Sequence, residues 1–280
     1  MPSRQAMISD IVPESSLMNA ISLANSAMNA TRIIGPAVAG VLIIYIGTSG
    51  VFYLISLIYV FAVISIAMID SGKVPARRSR NSITGDIREG FKYVTDSPTL
   101  FRMILLALIS SLFGFSYFAL LPAWGREALN VESDALGFLL MIMGIGALLG
   151  TLLLASIPNL KNRGILLLGT CVAWGVGLAI FSQASSYMVA VPLLLFTGFG
   201  SSIFMSLNMT LLQIYSVPAM RGRVMSISMM CFGIQPVSSV PLGALALRIG
   251  TPDALLLSGC LMIGATILFM IFYPSFRKVN

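Results

Sequence analysis

The sequence contains no histidine and few charged residues of either sign. Charged side chains make up 10% of its 280 residues, and cysteine occurs three times. A chain without histidine lacks the commonest metal ligand and general base. Cys171, Cys231 and Cys260 all fall within apolar segments and do not have the spacing of a metal site. These absences argue against an enzyme, a metal centre, a bound cofactor and a disulfide framework.

Hydrophobic residues, in contrast, account for 57% of the sequence, and the mean hydropathy is +0.94. This composition is typical of integral membrane proteins. About eight stretches are long enough to cross roughly 30 Å of hydrocarbon as helices. They cover approximately residues 17–46, 51–69, 103–121, 136–157, 165–181, 188–212, 224–247 and 254–273. The sequence therefore predicts an all-α, multi-pass protein that contacts the lipid bilayer.

The net charge of +7 follows membrane topology. The basic residues are dispersed over short connections and form no single patch with interleaved aromatic residues, so we expect no nucleic-acid partner. One set of alternate connections carries fourteen lysines and arginines, and the other set carries only Arg126 and Arg248. By the positive-inside rule, this asymmetry predicts a protein of the plasma (cytoplasmic) membrane with both termini in the cytoplasm.

A polar stretch at residues 70–100 divides the chain into residues 1–69, with two spans, and residues 101–280, with six. We expect this stretch to be a cytoplasmic central loop. Within it, Ile83, Ile87, Phe91 and Val94 recur at helical spacing. The pattern predicts a short amphipathic helix on the membrane surface, although a solvated linker would also fit.

The two ends of the chain share a repeated pattern. Val12-Pro13 recurs 205 residues later as Val217-Pro218, and in both copies a second proline follows after 23 residues, at Pro36 and Pro241. The tripeptide Ile-Gly-Thr also recurs at nearly the same offset. Because inverted or parallel repeats build many transporters, the first two spans are interpreted as the last pair of a six-helix unit.

Several segments, taken in order, resemble the major facilitator superfamily. They are PSRQAMISDIVPESSLMNAISL, RIIGPAVAG, DIREGFKYVTDSPTLFRMILL, GFLLMIMGIGALLGTLLLA and VPAMRGRVMSI. The resemblance is greatest to the branch of the enterobactin exporter and of macrolide and multidrug efflux proteins. It implies twelve helices in two six-helix bundles around a central cavity. This chain is similar to helices five to twelve only, so the first bundle is expected to be incomplete and the second complete. The missing N-terminal helices, or a partner that supplies them, would complete the first bundle.

The first span carries a polar stripe. Ser22, Asn25, Asn29, Arg32 and Pro36 follow one another at steps of three or four residues, so they share one helix face. Polar groups in hydrocarbon cost several kcal/mol each, so the stripe is expected to face protein or a water-filled cavity. None of the predicted spans offers Arg32 an acidic partner within its apolar core. Three roles stay open for Arg32: a structural ion pair, a direct place in the transport pathway, and snorkelling to the interface.

Gly35, Pro36 and Gly40 resemble the Gly-Pro signature on the fifth helix of exporters in the superfamily. The resemblance implies a seal for the cavity that favours export. Physically, Pro36 removes one helix hydrogen bond and kinks the span, and the glycines let a neighbouring helix approach. An ordinary kinked packing helix is the alternative.

The second bundle offers further candidates. Gly146 and Gly150 are spaced as a small-residue packing face. Gln213 and Gln235 are polar groups in or near spans, so they are candidates for the substrate pathway. Pro236 and Pro241 predict kinks in the seventh span, which would suit a helix that bends during gating.

Arg221 and Arg223 lie in a short turn before the seventh span, on the side predicted to be cytoplasmic. The family resemblance implies a latch between loops and acidic helix ends. Retention of this turn in the cytoplasm by its charge alone is the other reading.

The function predicted from these features is that of a secondary active transporter, present here in part, that exports small amphipathic molecules such as siderophores or drugs by alternating access. A coupling proton or other ion is expected as a further partner, and any proton carrier would lie in helices beyond these eight spans. The alternative is a non-transporting remnant or scaffold subunit that needs a four-helix partner.

Overall fold

The computed structural model describes residues 31, 38, 42, 45–47, 49–68, 83–130, 133–157, 162–217 and 220–279. Regular structure within these ranges is helical throughout. Seven helices in the described part are long and apolar enough to cross a membrane, which confirms the predicted all-α membrane fold. The first predicted span, residues 17–46, lies largely outside the described residues. The chain divides into two compact units, residues 1–82 and 83–280.

The first unit contributes one described span, α1, at Ser49–Ala67. It is 19 residues long, and its residues are exposed except for Gly50, Val51 and Leu54. Ser56 and Ser65 donate their hydroxyls to the carbonyls of Phe52 and Phe61, one turn earlier in α1. Polar groups satisfied within their own helix tolerate hydrocarbon. The surface of α1 is therefore suited to lipid or to further apolar helices.

The described part of the second unit contains nine α-helices. In chain order they are α2 (Ile83–Asp96), α3 (Pro98–Ile109), α4 (Tyr117–Leu129), α5 (Ser133–Ala155), α6 (Arg163–Ser182), α7 (Tyr187–Tyr215), α8 (Arg221–Gly233), α9 (Gln235–Ile249) and α10 (Thr251–Phe272). Helices α3 and α4 form one 32-residue span, and α8 and α9 form one 29-residue span. With α5, α6, α7 and α10, the described part of this unit has six spans.

The span built from α3 and α4 is longer than the sequence predicts. A span was expected at 103–121, but the helix begins at Pro98 and ends at Leu129. Proline suits the first turn of a helix because its missing N–H would have no intrahelical partner there. At the other end, Asn130 adopts a left-handed conformation that stops the helix. Residues 122–129, interpreted as a connection, are therefore helical.

Helix α6 lies at the centre of the buried core. Leu167, Cys171, Trp174 and Phe181 on this helix are fully buried. The indole Nε1 of Trp124 donates to the carbonyl of Ser182 at 2.8 Å, which fixes the outer end of α4 against the end of α6. The large aromatic side chains of Trp124, Trp174 and Phe181 are all fully buried, so they form the packed centre of this unit.

Glycines bring α5 and α7 into close backbone contact. A Cβ atom at Gly146 would collide with the carbonyl of Leu195, and one at Gly198 would collide with the carbonyl of Met143. A Cβ at Gly150 would lie 2.5 Å from the carbonyl oxygen of Phe199. The two glycines singled out in the sequence thus sit where two helices touch, and Gly198 completes the contact from the opposite helix.

Candidate functional site at two broken helices

The first break interrupts the span formed by α3 and α4. Ser110–Gly114 form a π-helical segment, in which the N–H of Phe115 donates to the carbonyl of Ser110, five residues earlier, at 3.0 Å. Serine hydroxyls compete with the backbone ladder: Ser110 Oγ donates to the Ala107 carbonyl at 2.9 Å. π-Helical segments are rare and occur often at functional sites.

The second break separates α8 from α9. Helix α8 ends at Gly233, and α9 begins at Gln235 with Pro236 in its first turn. Because Pro236 has no N–H, it cannot donate to the carbonyl of Phe232. The pattern of helical hydrogen bonds resumes with a bond of 2.8 Å from the N–H of Val237 to the carbonyl of Ile234, three residues earlier. The predicted kink of this span is thus a local interruption of the helix at Ile234, just before Pro236, and we call this interruption the second break.

Polar side chains join the two breaks. Ser111 Oγ donates to the carbonyl of Cys231 at 2.6 Å, and Gln235 Nε2 donates to the carbonyl of Phe115 at 2.8 Å. The hydroxyls of Ser116 and Ser238 lie 2.8 Å apart. The carbonyls of Phe115 and Cys231 also accept the backbone N–H groups of Phe118 and Ile234, so Gln235 and Ser111 each add a second, interhelical hydrogen bond beside a break.

A third helix adds a further bond to the first break. Ser258 on α10 donates its hydroxyl to the carbonyl of Phe113 at 2.7 Å. We call Ser111, Ser116, Gln235, Ser238 and Ser258 the break cluster. Interhelical hydrogen bonds of this kind in membranes are worth about 0.6–2 kcal/mol each, so they can hold one arrangement and still be exchanged for another.

An aromatic platform supports the break cluster from α6. Phe115 packs edge-on against Trp174 with ring centroids 4.8 Å apart, and Trp174 also contacts Phe204 on α7. A Cβ at Gly114 would lie 2.7 Å from Cη2 of Trp174, so only glycine fits there without a shift of the ring. The first break is therefore seated on a fixed surface, whereas Gly233 in the second break has nothing within 4 Å of its Cβ position.

The break cluster contains only hydroxyls, an amide and carbonyls, none of which titrates near neutral pH. Within the part of the chain that the structure describes, no group of three histidine, cysteine, aspartate or glutamate side chains could hold a metal ion. The arrangement can rearrange hydrogen bonds between helices and present polar atoms inside a membrane bundle.

The predicted site residues of the second bundle lie at two different positions along the helix axes. Gln235 belongs to the break cluster, and Pro236 and Pro241 lie on α9. Gln213 is exposed at the end of α7, where its carbonyl accepts a hydrogen bond of 3.1 Å from Arg221 Nε. Fourteen residues separate Arg221 from Gln235, about 21 Å along a helix axis. The structure therefore does not bring Gln213 and Gln235 together.

Arg221 and Arg223 both make defined contacts at the start of α8. Arg221 Nε also lies 3.4 Å from the carbonyl of Ser216, so it caps the end of α7, where a cation complements the helix dipole. Arg223 forms an ion pair of 3.3 Å with Glu89 on α2. These contacts are of the kind that the latch hypothesis requires.

The stripe and signature of the first span cannot be placed in the same way. Asn25, Asn29, Arg32, Gly35, Pro36 and Gly40 lie outside the described residues. Their roles stay predictions from the sequence.

Sequence reasoning missed most of the break cluster. Ser111, Ser116, Ser238 and Ser258 were not singled out, because isolated serines in apolar helices usually bond to their own backbone. A signal was present nonetheless: three serines and a glycine fall within residues 110–116 of an otherwise apolar span. Such a cluster lowers helix propensity locally and supplies donors for another helix.

A bundle of apolar helices with broken spans and polar bridges between them defines a membrane protein of the transporter class. The family model described as "Transmembrane secretion effector" matches residues 1–279, so the chain belongs to this family of the major facilitator superfamily. The superfamily resemblance seen in the sequence is thereby confirmed.

Two relatives of known description are similar to this chain. The Staphyloferrin A transporter of Staphylococcus aureus is 27% identical over 285 residues, covering 100% of this chain and 69% of the relative. Macrolide efflux protein A of Streptococcus pyogenes is 24% identical over 270 residues, covering 94% of this chain and 66% of the relative. The chain thus spans about two thirds of the length of these relatives.

Proposed function

We propose that this chain takes part in the export of small amphipathic molecules, such as siderophores or drugs, across the cytoplasmic membrane by alternating access. Its family is one of transporters, and its relatives include a siderophore transporter and a macrolide efflux protein. The structural observation that carries the proposal is the pair of broken helices joined by the break cluster. Alternating access needs helices that bend at defined points, and broken helices provide such points.

The bending step is assigned to α8 and α9. Gly233 has open space around it, and Pro236 removes a ladder bond, so the angle between these helices can change at small cost. The first break rests on Trp174 and stays fixed. Gln235 and Ser111 exchange partners as α9 moves relative to α4, which keeps polar groups satisfied during the movement.

The working transporter requires a first bundle beside the second unit. We assign residues 1–69 to this first bundle and residues 101–280 to the second bundle, with both termini in the cytoplasm. The unburied surface of α1 and the greater length of the relatives support the need for further helices, supplied by a longer form of the chain or by a partner. A chain that lacks them would be a non-transporting scaffold, which is the second candidate function.

Arg32 is assigned to the cavity of the first bundle. A permanent positive charge on the polar stripe would attract an anionic substrate or an anionic coupling ion. Coupling to a proton would need a titratable group in the further helices.

We expect Arg32→Ala to abolish export without changing the amount of protein in the membrane. Efflux-deficient cells would express the chain alone, the chain with four helices added before it, and the extended chain with Arg32→Ala. Accumulation of labelled macrolides, lipophilic dyes and catecholate siderophores would be measured. Arg248→Ala, at an exposed position in the last turn of α9, is the matched control and should export normally. Equal accumulation in cells expressing the extended chain and in empty cells would support the scaffold function instead.

A further inference from the structure

Helix α2 is attached to the bundle along one face. Gly90 is buried, and a Cβ there would lie 3.2 Å from Cβ of Arg223 and 3.3 Å from Cδ1 of Ile227, so the α2 backbone lies directly on α8. Val94, one turn later, is only 2% exposed. The Oη of Tyr93 accepts a hydrogen bond of 3.1 Å from the N–H of Val217. These contacts fix the rotation of α2 about its own axis.

This rotation divides the apolar face that the sequence predicts. Val94 enters the protein core, but Ile87 and Phe91 remain 47% and 44% exposed. The reason is that Gly90, without a side chain, allows the closest approach to α8 and so becomes the centre of the packed face. Ile87 and Phe91 are four residues apart and form an apolar stripe beside that face.

A basic stripe borders the apolar one. Arg88 and Lys92 are exposed and each follows one residue after Ile87 and Phe91, so they lie next to the apolar stripe on its solvent side. On the opposite flank Glu89 pairs with Arg223 at 3.3 Å, so its charge is offset, and Arg88 and Lys92 are the exposed charges on the solvent side of Ile87 and Phe91. Apolar and basic stripes side by side are typical of helices that lie in a membrane interface.

The position of α2 along the chain places it at the edge of the bilayer. Only Ser97 separates its last residue, Asp96, from Pro98, the first residue of a membrane span. Because this 32-residue span is longer than the roughly 30 Å of hydrocarbon, its first turn extends beyond the hydrocarbon, and we expect α2 at the level of the lipid headgroups. The charge of the exposed stripe is complementary to anionic headgroups.

We propose that α2 is a binding site for anionic phospholipid, in the leaflet that the charge asymmetry makes cytoplasmic. Ile87 and Phe91 enter the boundary between headgroups and acyl chains, and Arg88 and Lys92 bind the headgroup phosphate. Each basic residue near an anionic membrane surface contributes about 1 kcal/mol, so the pair should favour anionic over zwitterionic lipid about 30-fold. This inference does not rest on the proposed transport function, since its test measures lipid binding alone.

The first test measures binding of a short-chain phosphatidylglycerol to the purified 280-residue protein in detergent. We expect saturable binding that Arg88→Gln with Lys92→Gln weakens at least about tenfold. Dioctanoyl phosphatidylcholine and free glycerol phosphate are expected to bind weakly or not at all. Arg277→Gln with Lys278→Gln, a basic pair elsewhere on the chain, should bind like the unchanged protein. The assignment would be overturned if both double variants bind phosphatidylglycerol equally, or if phosphatidylcholine binds as tightly as phosphatidylglycerol. Tight binding of glycerol phosphate would overturn it too, by indicating a site for soluble phosphates.

The second test locates α2 relative to the bilayer. It does not use the charge variants, so it remains valid even if they fold poorly. A spin label is attached through Phe91→Cys or, as a control on the polar side, Asp96→Cys, with Cys260→Ser to remove the exposed native thiol. In nanodiscs with phosphatidylglycerol, we expect the label at position 91 to be more accessible to oxygen than the label at position 96. The label at position 96 should be the more accessible of the two to a water-soluble nickel reagent. Equal exposure of both labels to the nickel reagent would contradict the proposal.

Discussion

Gly146→Leu and Gly198→Leu will each prevent the second unit from reaching its folded state. In both cases the first added carbon would collide with a backbone carbonyl, of Leu195 or of Met143, on the facing helix. A backbone carbonyl cannot rotate away as a flexible side chain can, so α5 and α7 must separate. Overpacking by single methylene groups already costs about 1–3 kcal/mol, and a leucine adds several carbons where not even one fits.

The matched control is a glycine with open space. A Cβ at Gly264 on α10 or at Gly169 on α6 would meet nothing within 4 Å, so Gly264→Leu and Gly169→Leu should fold normally. Unfolding is followed with a thiol-reactive dye, because Cys171 and Cys231 are buried and react only when the bundle opens, with Cys260→Ser as background. If the melting temperature of Gly146→Leu lies within about 2 °C of that of Gly264→Leu, the close contact between α5 and α7 is absent.

If the proposed export function is correct, Gln235→Leu in the chain extended by four preceding helices will reduce export at least tenfold while the protein remains folded in the membrane. Leucine is apolar and cannot donate to the carbonyl of Phe115, which Gln235 reaches at 2.8 Å. The loss of one interhelical bond costs only about 1–2 kcal/mol of stability, because apolar contacts still surround the site. Movement is affected more strongly than stability, since a hydrogen bond made in one conformation and lost in the other sets the balance between the two conformations.

Ser226→Ala provides the control for this prediction on the same span. Ser226 is exposed, and its hydroxyl donates only to the carbonyl of Gly222 within α8 at 2.9 Å. Export by Ser226→Ala should match that of the unchanged protein, and Ser111→Ala should resemble Gln235→Leu. The hinge assignment is wrong if Gln235→Leu and Ser226→Ala export at the same rate.

The sequence predicts the helices well because long apolar stretches leave few alternatives in a membrane. The seven described spans overlap predicted ones, and the helix around Gly90 appears where the apolar spacing places it. The helix ends are less predictable. Pro122 and Arg126 predict a connection between two spans. The helix instead continues through both residues to Leu129 and ends where Asn130 adopts its left-handed conformation.

The serines of the break cluster escape prediction for a physical reason, although Gln235 is among the predicted candidates. No proline or charged residue marks residues 110–116, and the π-helical segment there is stabilised by donors on other helices, Gln235 and Ser258, that are more than a hundred residues away in sequence. The rotation of α2 is hidden in the same way. Its apolar spacing predicts one continuous face, and only the contact of Gly90 with α8 shows which part of that face is buried.

The central claim, that this chain forms part of an exporter, is tested most directly by the direction of transport. Everted membrane vesicles would contain the chain extended by four preceding helices, and uptake of labelled siderophores and macrolides would be measured with and without an ion gradient. The account predicts gradient-dependent uptake of at least one compound into the everted vesicles, lost on addition of an ionophore. If the folded protein moves none of these compounds in either direction, the chain is a membrane scaffold and the export function is wrong.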